Sequence, residues 1–388
     1  MRVLVTEYVL STFQPNHSYL DLLSEGYAMA ITLAKALQRR NVEVFLTLSN
    51  EGPKITWNKQ ILLNRDKYFS WLKEAKRIFD WILAIAPPLE LIKISKIIDK
   101  KLLGPSPQLV EMFSNKYMTY LALKKCGIDV PQTILIRDKH ININDLKELN
   151  PPLIIKPTLM AGSECIYKVD DRNRILNYIH RVMECDPQGE ALVQEYIDGV
   201  HGSISVIYTK DKYLLYSLNL QLIVFDNDRL KFTGGILPIR SKEEISKAET
   251  IVEKLLMRYP ELRGYIGLDV VWNEEKMYVV EVNPRPTTSV ISIAKIYPKF
   301  GEVLLSSVLY PRANSIHRFL GDIVRGYAYY VLLDKYITIH RNEELIHVEP
   351  SPRRVLTGIS YSNSTVLSRI KELLASYTIV YDFSQLLQ

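Results

Sequence analysis

Cysteine is scarce in this sequence of 388 residues, which has only three, at Cys126, Cys165 and Cys185. The number is odd and no two of them form a Cys-x-x-Cys pair, so neither a disulfide framework nor a zinc knuckle is predicted. Each cysteine is expected to be a small, buried apolar side chain. Such sparing use of cysteine favours a reducing compartment, and we expect a cytoplasmic location.

Long apolar runs and a strong charge of either sign are also lacking. No stretch approaches the roughly 20 apolar residues that a membrane span needs. Segment 1–10 has one arginine and soon turns polar, which is typical of a first strand and not of a signal peptide. The net charge of +6, from 49 basic and 43 acidic residues, is too small to indicate a dedicated nucleic-acid-binding protein. We therefore expect neither a membrane nor a nucleic-acid partner, whereas a small anionic ligand is compatible with this charge.

The composition is that of a globular protein, with 47% hydrophobic and 24% charged residues. At about 150 residues per domain, the length predicts two or three domains. In residues 1–105 short apolar strands alternate with helical patterns, which favours a parallel sheet covered by helices. No Gly-x-Gly-x-x-Gly follows the first strand, so a dinucleotide fingerprint is absent. Residues 106–130 are predicted to be helical, strands dominate from residue 153, and a strand pair is expected around 328–348.

A hairpin within Ile266–Arg285 is the most informative segment. Its two apolar strands flank the polar turn Asn273–Lys276. If the register places Asp269 opposite Glu281, these carboxylates and Asn283 converge on one face of the sheet. That register requires a connection with an odd number of residues, because a four-residue loop would put the two carboxylates on opposite faces.

Two neighbouring carboxylates repel each other unless a positive charge neutralises them. Oxygen ligands suit a hard cation, with Mg²⁺ before Ca²⁺. Arg285, fixed between Pro284 and Pro286 just beyond the carboxylates, is well placed to bind a phosphoryl or carboxylate group through two hydrogen bonds. The alternative is an ordinary hairpin whose polar residues face solvent.

A second group of candidates is basic. Lys156 ends the predicted strand Leu153–Ile155, and the loop Thr158–Ser163 that follows has small residues at its tip. Small residues let backbone N–H groups approach phosphate oxygens, and a lysine supplies a point charge. Lys116 begins a predicted helix. For each lysine, a solvated surface position is the alternative.

Gln194–Ile197 ends a strand and runs into Asp198-Gly199. A segment that leaves a strand in this way could offer backbone N–H and C=O groups to the edge of an adenine. An interdomain connector is the alternative.

Taken together and in order, these segments resemble the motifs of the ATP-grasp superfamily. The matching residues are Gly104-Pro105-Ser106, Asn115-Lys116, Ile155-Lys156-Pro157 with Ala161-Gly162-Ser163, Gln194-Glu195-Tyr196-Ile197-Asp198-Gly199, Gly267-Leu268-Asp269 and Glu281-Val282-Asn283-Pro284-Arg285. They span about 104–290, and the first hundred residues match in kind the α/β domain that precedes the ATP-grasp lobes.

The resemblance implies an ATP-grasp fold of mixed α/β and α+β architecture, in which two lobes clamp ATP. It implies four parts. They are an N-terminal parallel α/β domain (1–105), a small lobe with linker helices (106–198), a large lobe with the metal site (199–310) and a C-terminal extension (311–388).

The resemblance also implies roles for single residues. Lys116 and Lys156 would contact the nucleotide phosphates, under a loop that includes Gly162 and Ser163. Adenine would be held by Gln194, Glu195, Tyr196 and Ile197, with the main chain of Glu195 and Ile197 facing its edge. Asp269, Glu281 and Asn283 would hold Mg²⁺, or alternatively Mn²⁺. Lys156 and Arg285 would act in catalysis, with Arg285 stabilising the transferred phosphoryl group or an acyl phosphate. Many members have an acidic residue on the ribose just after the adenine segment, and His201 lies near that place.

Three further segments resemble, more loosely, the archaeal tyramine–glutamate ligase type. They are Thr6-Glu7-Tyr8, Ser24-Glu25-Gly26 and Thr233-Gly234-Gly235-Ile236-Leu237-Pro238. Ligands bind at the C-terminal edge of a parallel sheet, so Glu7, Ser11 and Glu25 are candidates for contact with the acceptor substrate. Helix capping and solvent exposure are the alternatives. Lys231 and Arg240, which flank the glycine pair, are candidates for phosphate or carboxylate binding, or else are surface charges.

The expected activity is that of an ATP-dependent ligase that joins a carboxylate to an amine through an acyl phosphate, such as glutamate to tyramine. The substrates are therefore small molecules, and a homo-oligomer is compatible with the sequence. The alternatives are a carboxylase or phosphotransferase on the same scaffold, and a nucleotide-binding regulator without catalysis. The extension after residue 310 is expected to be a further substrate lobe or an oligomerisation element.

Overall fold

A computed structural model of the chain describes residues 1–14, 20–138, 140–160, 162, 164–226, 229–309 and 318–381. Within these ranges the strands form two sheets, one parallel with four strands and one, mainly antiparallel, with 13. No helix among the described residues is long and apolar enough to cross a bilayer.

The N-terminal part is the predicted parallel sheet, with the strand order β3-β2-β1-β4. Its strands are β1 (Arg2–Glu7), β2 (Glu43–Ser49), β3 (Gln60–Leu63) and β4 (Trp81–Ile85). Its helices are α1 (Tyr8–Ser11), α2 (Leu20–Leu37), α3 (Tyr68–Ile78) and α4 (Pro88–Ile98). Val3, Leu4 and Val5 are fully buried, so β1 is central, and its carboxyl end delivers Glu7 to the edge where the next domains pack.

The single helical segment predicted for residues 106–130 is two helices, α5 (Pro107–Ser114) and α6 (Lys116–Lys125). Asn115 separates them. It adopts an extended conformation, and its side-chain oxygen accepts hydrogen bonds from the N–H groups of Tyr117 and Met118. An asparagine at this position is a favourable N-cap, and Lys116 is thereby held as the first residue of a helix.

The small lobe is an antiparallel sheet covered by one helix. Its strands are β5 (Thr133–Ile136), β6 (Leu153–Lys156), β7 (Tyr167–Val169) and β8 (Ala191–Glu195), and the helix is α7 (Ile175–Cys185). One face of α7 packs Ile175, Tyr178, Ile179 and Val182 against the sheet, which gives this lobe a hydrophobic core of its own.

The large lobe contains the long strands. They are β9 (Val200–Thr209), β10 (Lys212–Asp226), β11 (Arg229–Leu237), β12 (Gly264–Trp272) and β13 (Met277–Asn283), with helices α8 (Lys242–Arg258), α9 (Val290–Ile296) and α10 (Phe300–Leu309). The two lobes share one sheet through the pairing of Arg229 in β11 with Tyr167 in β7.

The C-terminal extension continues the large sheet. It contains α11 (Leu320–Ile323), β14 (Tyr327–Leu333), β15 (Glu343–Ile346), β16 (Arg354–Ser360), α12 (Asn363–Leu373) and β17 (Thr378–Ile379). The strand pair expected around 328–348 is wrong in its pairing, because β14 and β15 both pair with β16. β14 also pairs with β11 and β17 with β10, so the extension is integrated into the large lobe. The four domain boundaries and a homo-oligomeric state stay predictions.

The expectation about cysteine is wrong for two of the three residues. Cys165 and Cys185 form a disulfide, with their Cα atoms 6.5 Å apart. Cys126 is free and partly buried. An odd total does not prevent one pair from forming when the fold brings two thiols together. The cytoplasmic location stays a prediction.

Candidate active site

One cavity of about 250 Å³ lies where the parallel domain and the two lobes meet. Residues from all three parts line it. Its wall includes the predicted site residues Glu7, Glu25, Lys116, Lys156, Gly162, Gln194, Glu195, Tyr196, Ile197, His201, Asp269, Glu281, Asn283 and Arg285. Ser163 lies outside the described residues.

The hairpin β12–β13 places Asp269 directly opposite Glu281, although its connection has four residues. The register shifts between Asp269 and Val270, so that Val270 pairs with Val279 and Val280 is an extra residue on β13. This is a β-bulge, which adds one residue to a strand and bends it. The rule that a four-residue loop separates the two carboxylates fails here, because the bulge restores the register that the loop would lose.

Asp269 is held by two side-chain amides. Its Oδ1 accepts a hydrogen bond of 2.9 Å from Gln221 Nε2, and its Oδ2 accepts one of 3.3 Å from Asn283 Nδ2. Burial, and then the charge of Glu281, raise the pKa of Asp269 to about 7. The donor set of two carboxylates and an amide contains only oxygen ligands. It therefore fits a hard divalent cation.

Lys156 is buried beside this pair, with 5% of its surface exposed. Its Nζ donates hydrogen bonds to Gln194 Oε1 at 2.8 Å and to the carbonyl of Val280 at 3.3 Å. The carbonyl belongs to the bulge residue, so the bulge both sets the carboxylate register and anchors the lysine. Burial lowers the pKa of Lys156 to about 8.

Lys116 approaches the same carboxylates from the linker helices. Its Nζ lies 3.4 Å from Glu281 Oε2 and donates a hydrogen bond of 2.6 Å to the carbonyl of Met160. It is 4% exposed. Two buried ammonium groups and two carboxylates thus converge on one end of the cavity, which is the charge pattern of a site for a polyphosphate and its metal.

Described residues of the loop between β6 and β7 line the cavity, and the loop is tied near both its ends to the C-terminal end of α7. Asp186 accepts hydrogen bonds from the N–H groups of Thr158 and Leu159 at the start of the loop. The disulfide joins Cys165, near the end of the loop, to Cys185. Gly162 lies between these ties and lines the cavity.

Replacing Cys185 with serine is expected to destabilise the oxidised protein by about 3 kcal/mol, because a disulfide restricts the unfolded chain. The two cysteines are 20 residues apart in sequence. Urea unfolding with and without dithiothreitol measures the effect. The reductant should lower the midpoint of the wild type and of a Cys126→Ser control, and leave that of Cys185→Ser unchanged. An equal response of all three proteins would contradict the link.

The segment predicted to hold adenine connects β8 to β9. The N–H of Glu195 donates to the carbonyl of Gln132, and the N–H of Tyr196 to that of Pro152. Among the described residues, the N–H of Ile197 has no such partner. The carbonyl of Glu195 could therefore accept a hydrogen bond from the amino group of an adenine. The N–H of Ile197 could donate one to a ring nitrogen at the same edge.

His201 lies on β9 beside Val271 and lines the cavity. Its ring stacks on Tyr381, with the ring centres 5.7 Å apart. Within the described chain its Nε2 is buried and has no hydrogen-bond partner. Burial lowers the pKa of His201 to about 4, so the ring is neutral at physiological pH.

The parallel domain contributes the opposite wall. Glu7 Oε2 accepts a hydrogen bond of 2.7 Å from the N–H of Leu10, and burial raises the pKa of Glu7 to about 7. A Cβ at Gly26 would lie only 2.7 Å from the Glu7 carboxyl carbon, so the glycine makes room for this carboxylate. Glu25 accepts a hydrogen bond from the hydroxyl of Thr288, which follows Arg285 closely in sequence.

Arg285 lines the cavity between these groups, and its Nη1 donates a hydrogen bond of 2.9 Å to the carbonyl of Pro286. Its charge lowers the pKa of both Glu7 and Asp269 from the values that burial alone would give. The positive charge of Arg285 therefore acts on carboxylates of both the parallel domain and the hairpin.

Three of the sequence candidates do not line the cavity. The Nζ of Lys231 lies 3.8 Å from Oδ2 of Asp334. Arg240 donates hydrogen bonds to three carbonyls and so holds the extension in place; they belong to Gly321, Val324 and Gly326. Ser11 is fully buried and bonds to Thr47. A substrate contact of these side chains stays a prediction without support from the cavity wall, because proximity in sequence to a glycine pair or a strand end does not fix the face on which a side chain lies.

Sequence reasoning also missed residues of the wall, among them Gln221, Phe232, Thr288 and Tyr330. Thr288 lies three residues after Arg285, and this hydroxyl close to a proline-bounded arginine is the one available signal in the sequence. Gln221 and Phe232 lie in long strands without a motif, and Tyr330 lies in the extension.

The comparisons with known proteins agree with this geometry. Residues 113–289 match the ATP-grasp domain family. The tyramine–L-glutamate ligase of Methanocaldococcus jannaschii is 29% identical over 324 residues, which cover 79% of this chain and 88% of that protein. The corresponding ligase of Methanocaldococcus fervens is 32% identical over 59% of this chain and 66% of its own length.

Solved structures show the same fold. An ATP-grasp superfamily protein from Archaeoglobus fulgidus superposes with a TM-score of 0.64 and 21% identity, over 93% of this chain and 99% of its own. The biotin carboxylase domain of Hydrogenobacter thermophilus 2-oxoglutarate carboxylase was solved with magnesium ADP. It superposes with a TM-score of 0.74 and 12% identity, over 97% of this chain and 90% of its own. The fold thus accommodates a nucleotide with magnesium.

Residues 113–289 of the chain form a domain of the ATP-grasp family, and the chain has the ATP-grasp fold. Its curated relatives include the two tyramine–L-glutamate ligases and, at 27% identity over 46% of this chain, the D-alanine–D-alanine ligase of Petrotoga mobilis. It is an enzyme of the class of ATP-dependent ligases that form carbon–nitrogen bonds.

Proposed function

We propose that the chain activates a carboxylate with ATP and joins it to an amine, with glutamate and tyramine as the first candidates. The observation that carries this proposal is that one cavity holds two unlike ends. Lysines and hairpin carboxylates suited to a polyphosphate form one end, and Glu7 and Glu25 of the parallel domain form the other. The named substrates are those of the two archaeal relatives.

The chain's own residues would bind and orient the nucleotide. The free N–H of Ile197 and the carbonyl of Glu195 would face adenine, and Lys116 and Lys156 would pair with phosphate oxygens. Catalysis of phosphoryl transfer depends chiefly on such positioning and on charge stabilisation.

Asp269, Glu281 and Asn283 would hold the magnesium ion. When bound, the ion would neutralise charge on the phosphates that the lysines also contact. Burial, and then repulsion from Glu281, raise the pKa of Asp269, and a bound cation would oppose both effects because it favours the ionised form of the carboxylates.

In the first step, an oxygen of the substrate carboxylate attacks the γ-phosphorus, the bond to the β-phosphate oxygen breaks, and an acyl phosphate and ADP form. Arg285 is placed to stabilise negative charge on the transferred group. In the second step, the neutral amine attacks the acyl carbon, the C–O bond breaks, phosphate leaves and the nitrogen loses one proton. Enclosure between three domains keeps water from the acyl phosphate.

An ADP-release screen of the purified protein tests the function. Pairs of amino acids and amines, starting with glutamate and tyramine, are incubated with ATP and Mg²⁺, and the masses of the products are measured by mass spectrometry. We expect amine-dependent ADP release and a product with the mass of acid plus amine minus water. Bicarbonate-dependent ADP release without an amine would instead indicate a carboxylase. Nucleotide binding without turnover of any pair would indicate a regulator.

A further inference from the structure

The C-terminal extension contributes a tyrosine to the cavity. Tyr330 lies in the middle of β14, pairs with Gly235 of β11, and lines the cavity although only 2% of its surface is exposed. Among the described residues its hydroxyl has no hydrogen-bond partner. The hydroxyl oxygen is not fully enclosed either, because Tyr330 borders the cavity. The hydroxyl is therefore available to a ligand.

The glycine pair of β11 makes room for this side chain. A Cβ at Gly235 would lie 2.8 Å from Tyr330 Oη and 3.0 Å from its Cε1, and a Cβ at Gly234 would lie 2.1 Å from the Tyr330 carbonyl oxygen. Distances below about 3 Å exclude a side chain at both positions. The close packing of β14 thus accounts for the two glycines in the motif Thr233–Pro238. The flanking Lys231 and Arg240 play no part in this packing argument.

The surroundings of the hydroxyl are acidic and aromatic. Burial, followed by the nearby Tyr265, Glu25 and Asp269, raises the pKa of Tyr330 well above its usual value, so the phenol stays neutral. Phe232, also on the cavity wall, has its ring centre 6.2 Å from that of Tyr330. In the described part of the chain, no lysine or arginine forms an ion pair with Glu25, which accepts a hydrogen bond from the neutral hydroxyl of Thr288.

We propose that Tyr330 determines specificity for the amine substrate. Its hydroxyl accepts a hydrogen bond from the ammonium group, which pairs with Glu25, and its ring and that of Phe232 contact the carbon skeleton. A protonated amine suits this place because an unpaired carboxylate and aromatic faces both attract cations. This inference rests on the proposed function, since it takes the second substrate to be an amine, and it makes the extension part of the substrate site.

Steady-state kinetics of Tyr330→Phe test the assignment. We expect the KM for tyramine to rise about tenfold through the loss of one hydrogen bond to a charged group. The KM values for ATP and glutamate and the thermal midpoint should stay unchanged. Tyr329→Phe is the matched control, because the neighbouring Tyr329 donates its hydroxyl to Glu343 and does not line the cavity. Its tyramine KM should equal that of the wild type.

Calorimetric titration of tyramine and 2-phenylethylamine into the ADP-bound protein separates this inference from the proposed function. If the wild type binds tyramine and Tyr330→Phe binds it about tenfold more weakly, the assignment of Tyr330 to the amine site is supported even without turnover. Equal tyramine KM values for Tyr330→Phe and Tyr329→Phe would overturn the site while leaving the ligase activity intact. A parallel rise in the KM for ATP, or no binding of either amine to the wild type, would also overturn it.

Discussion

Replacing Glu281 with glutamine is expected to lower magnesium-dependent turnover by about three orders of magnitude, the scale of losing a charge that stabilises the transition state. Glu281 lies opposite Asp269, and its Oε2 lies 3.4 Å from Lys116 Nζ, so in the proposed site its carboxylate would contact both the metal and the lysine. Glutamine has the same shape, and the strand pairing of β13 should persist. The measurement is ADP release at saturating ATP over a range of Mg²⁺ concentrations.

The same substitution should leave the metal-free protein folded, because glutamine keeps the size of the side chain and an oxygen that can accept a hydrogen bond from Lys116. Since Glu281 raises the pKa of Asp269, that pKa should fall in the variant. Glu275→Gln, an exposed carboxylate in the turn of the same hairpin, is the matched control and should retain full turnover. Near-normal activity of Glu281→Gln would show that the metal assignment is wrong.

Lys156→Ala should weaken ATP binding about a hundredfold, which corresponds to roughly 2–3 kcal/mol for the loss of a buried charged partner. Lys156→Met keeps most of the side-chain volume and should show a similar loss, which separates charge from packing. Lys125→Ala, an exposed lysine at the end of α6, is the control. Nucleotide titration by calorimetry measures all three, and an unchanged affinity of Lys156→Ala would remove this residue from the site.

The pH dependence supplies a second readout for Lys156. Burial lowers its pKa to about 8, so the ammonium is charged below that pH and loses its proton as the pH rises through it. Bound phosphate favours the charged form. The wild type should therefore bind ATP most tightly below pH 8 and more weakly above, and Lys156→Met should lack this decline.

The sequence predicted most of the lysines and carboxylates that line the cavity together, because they stand at strand ends and in a hairpin, where local patterns indicate direction. Lys156 follows a short apolar strand, and Asp269 and Glu281 flank one turn. The bulge at Val280 could not be predicted, since a rule based on loop length alone counts residues and does not register an extra one within a strand.

Contacts between distant segments were not predictable in the same way. The disulfide between Cys165 and Cys185 depends on how α7 packs beside the loop that follows β6. Tyr330 reaches the cavity only because β14 pairs with β11, about a hundred residues earlier in the chain. Likewise, the sequence alone does not show that Lys231 lies near Asp334 or that Arg240 bonds to carbonyls of the extension.

The position of β14 has a consequence for handling the protein. β11 pairs with β10 on one side and with β14 on the other, so its backbone groups from Gly234 to Leu237 are satisfied by the extension. A shortened protein that ends before β14 would leave this stretch, whose Ile236 and Leu237 are fully buried in the intact chain, as an open strand edge. Such an edge is a template for pairing with other chains, and the shortened protein would aggregate.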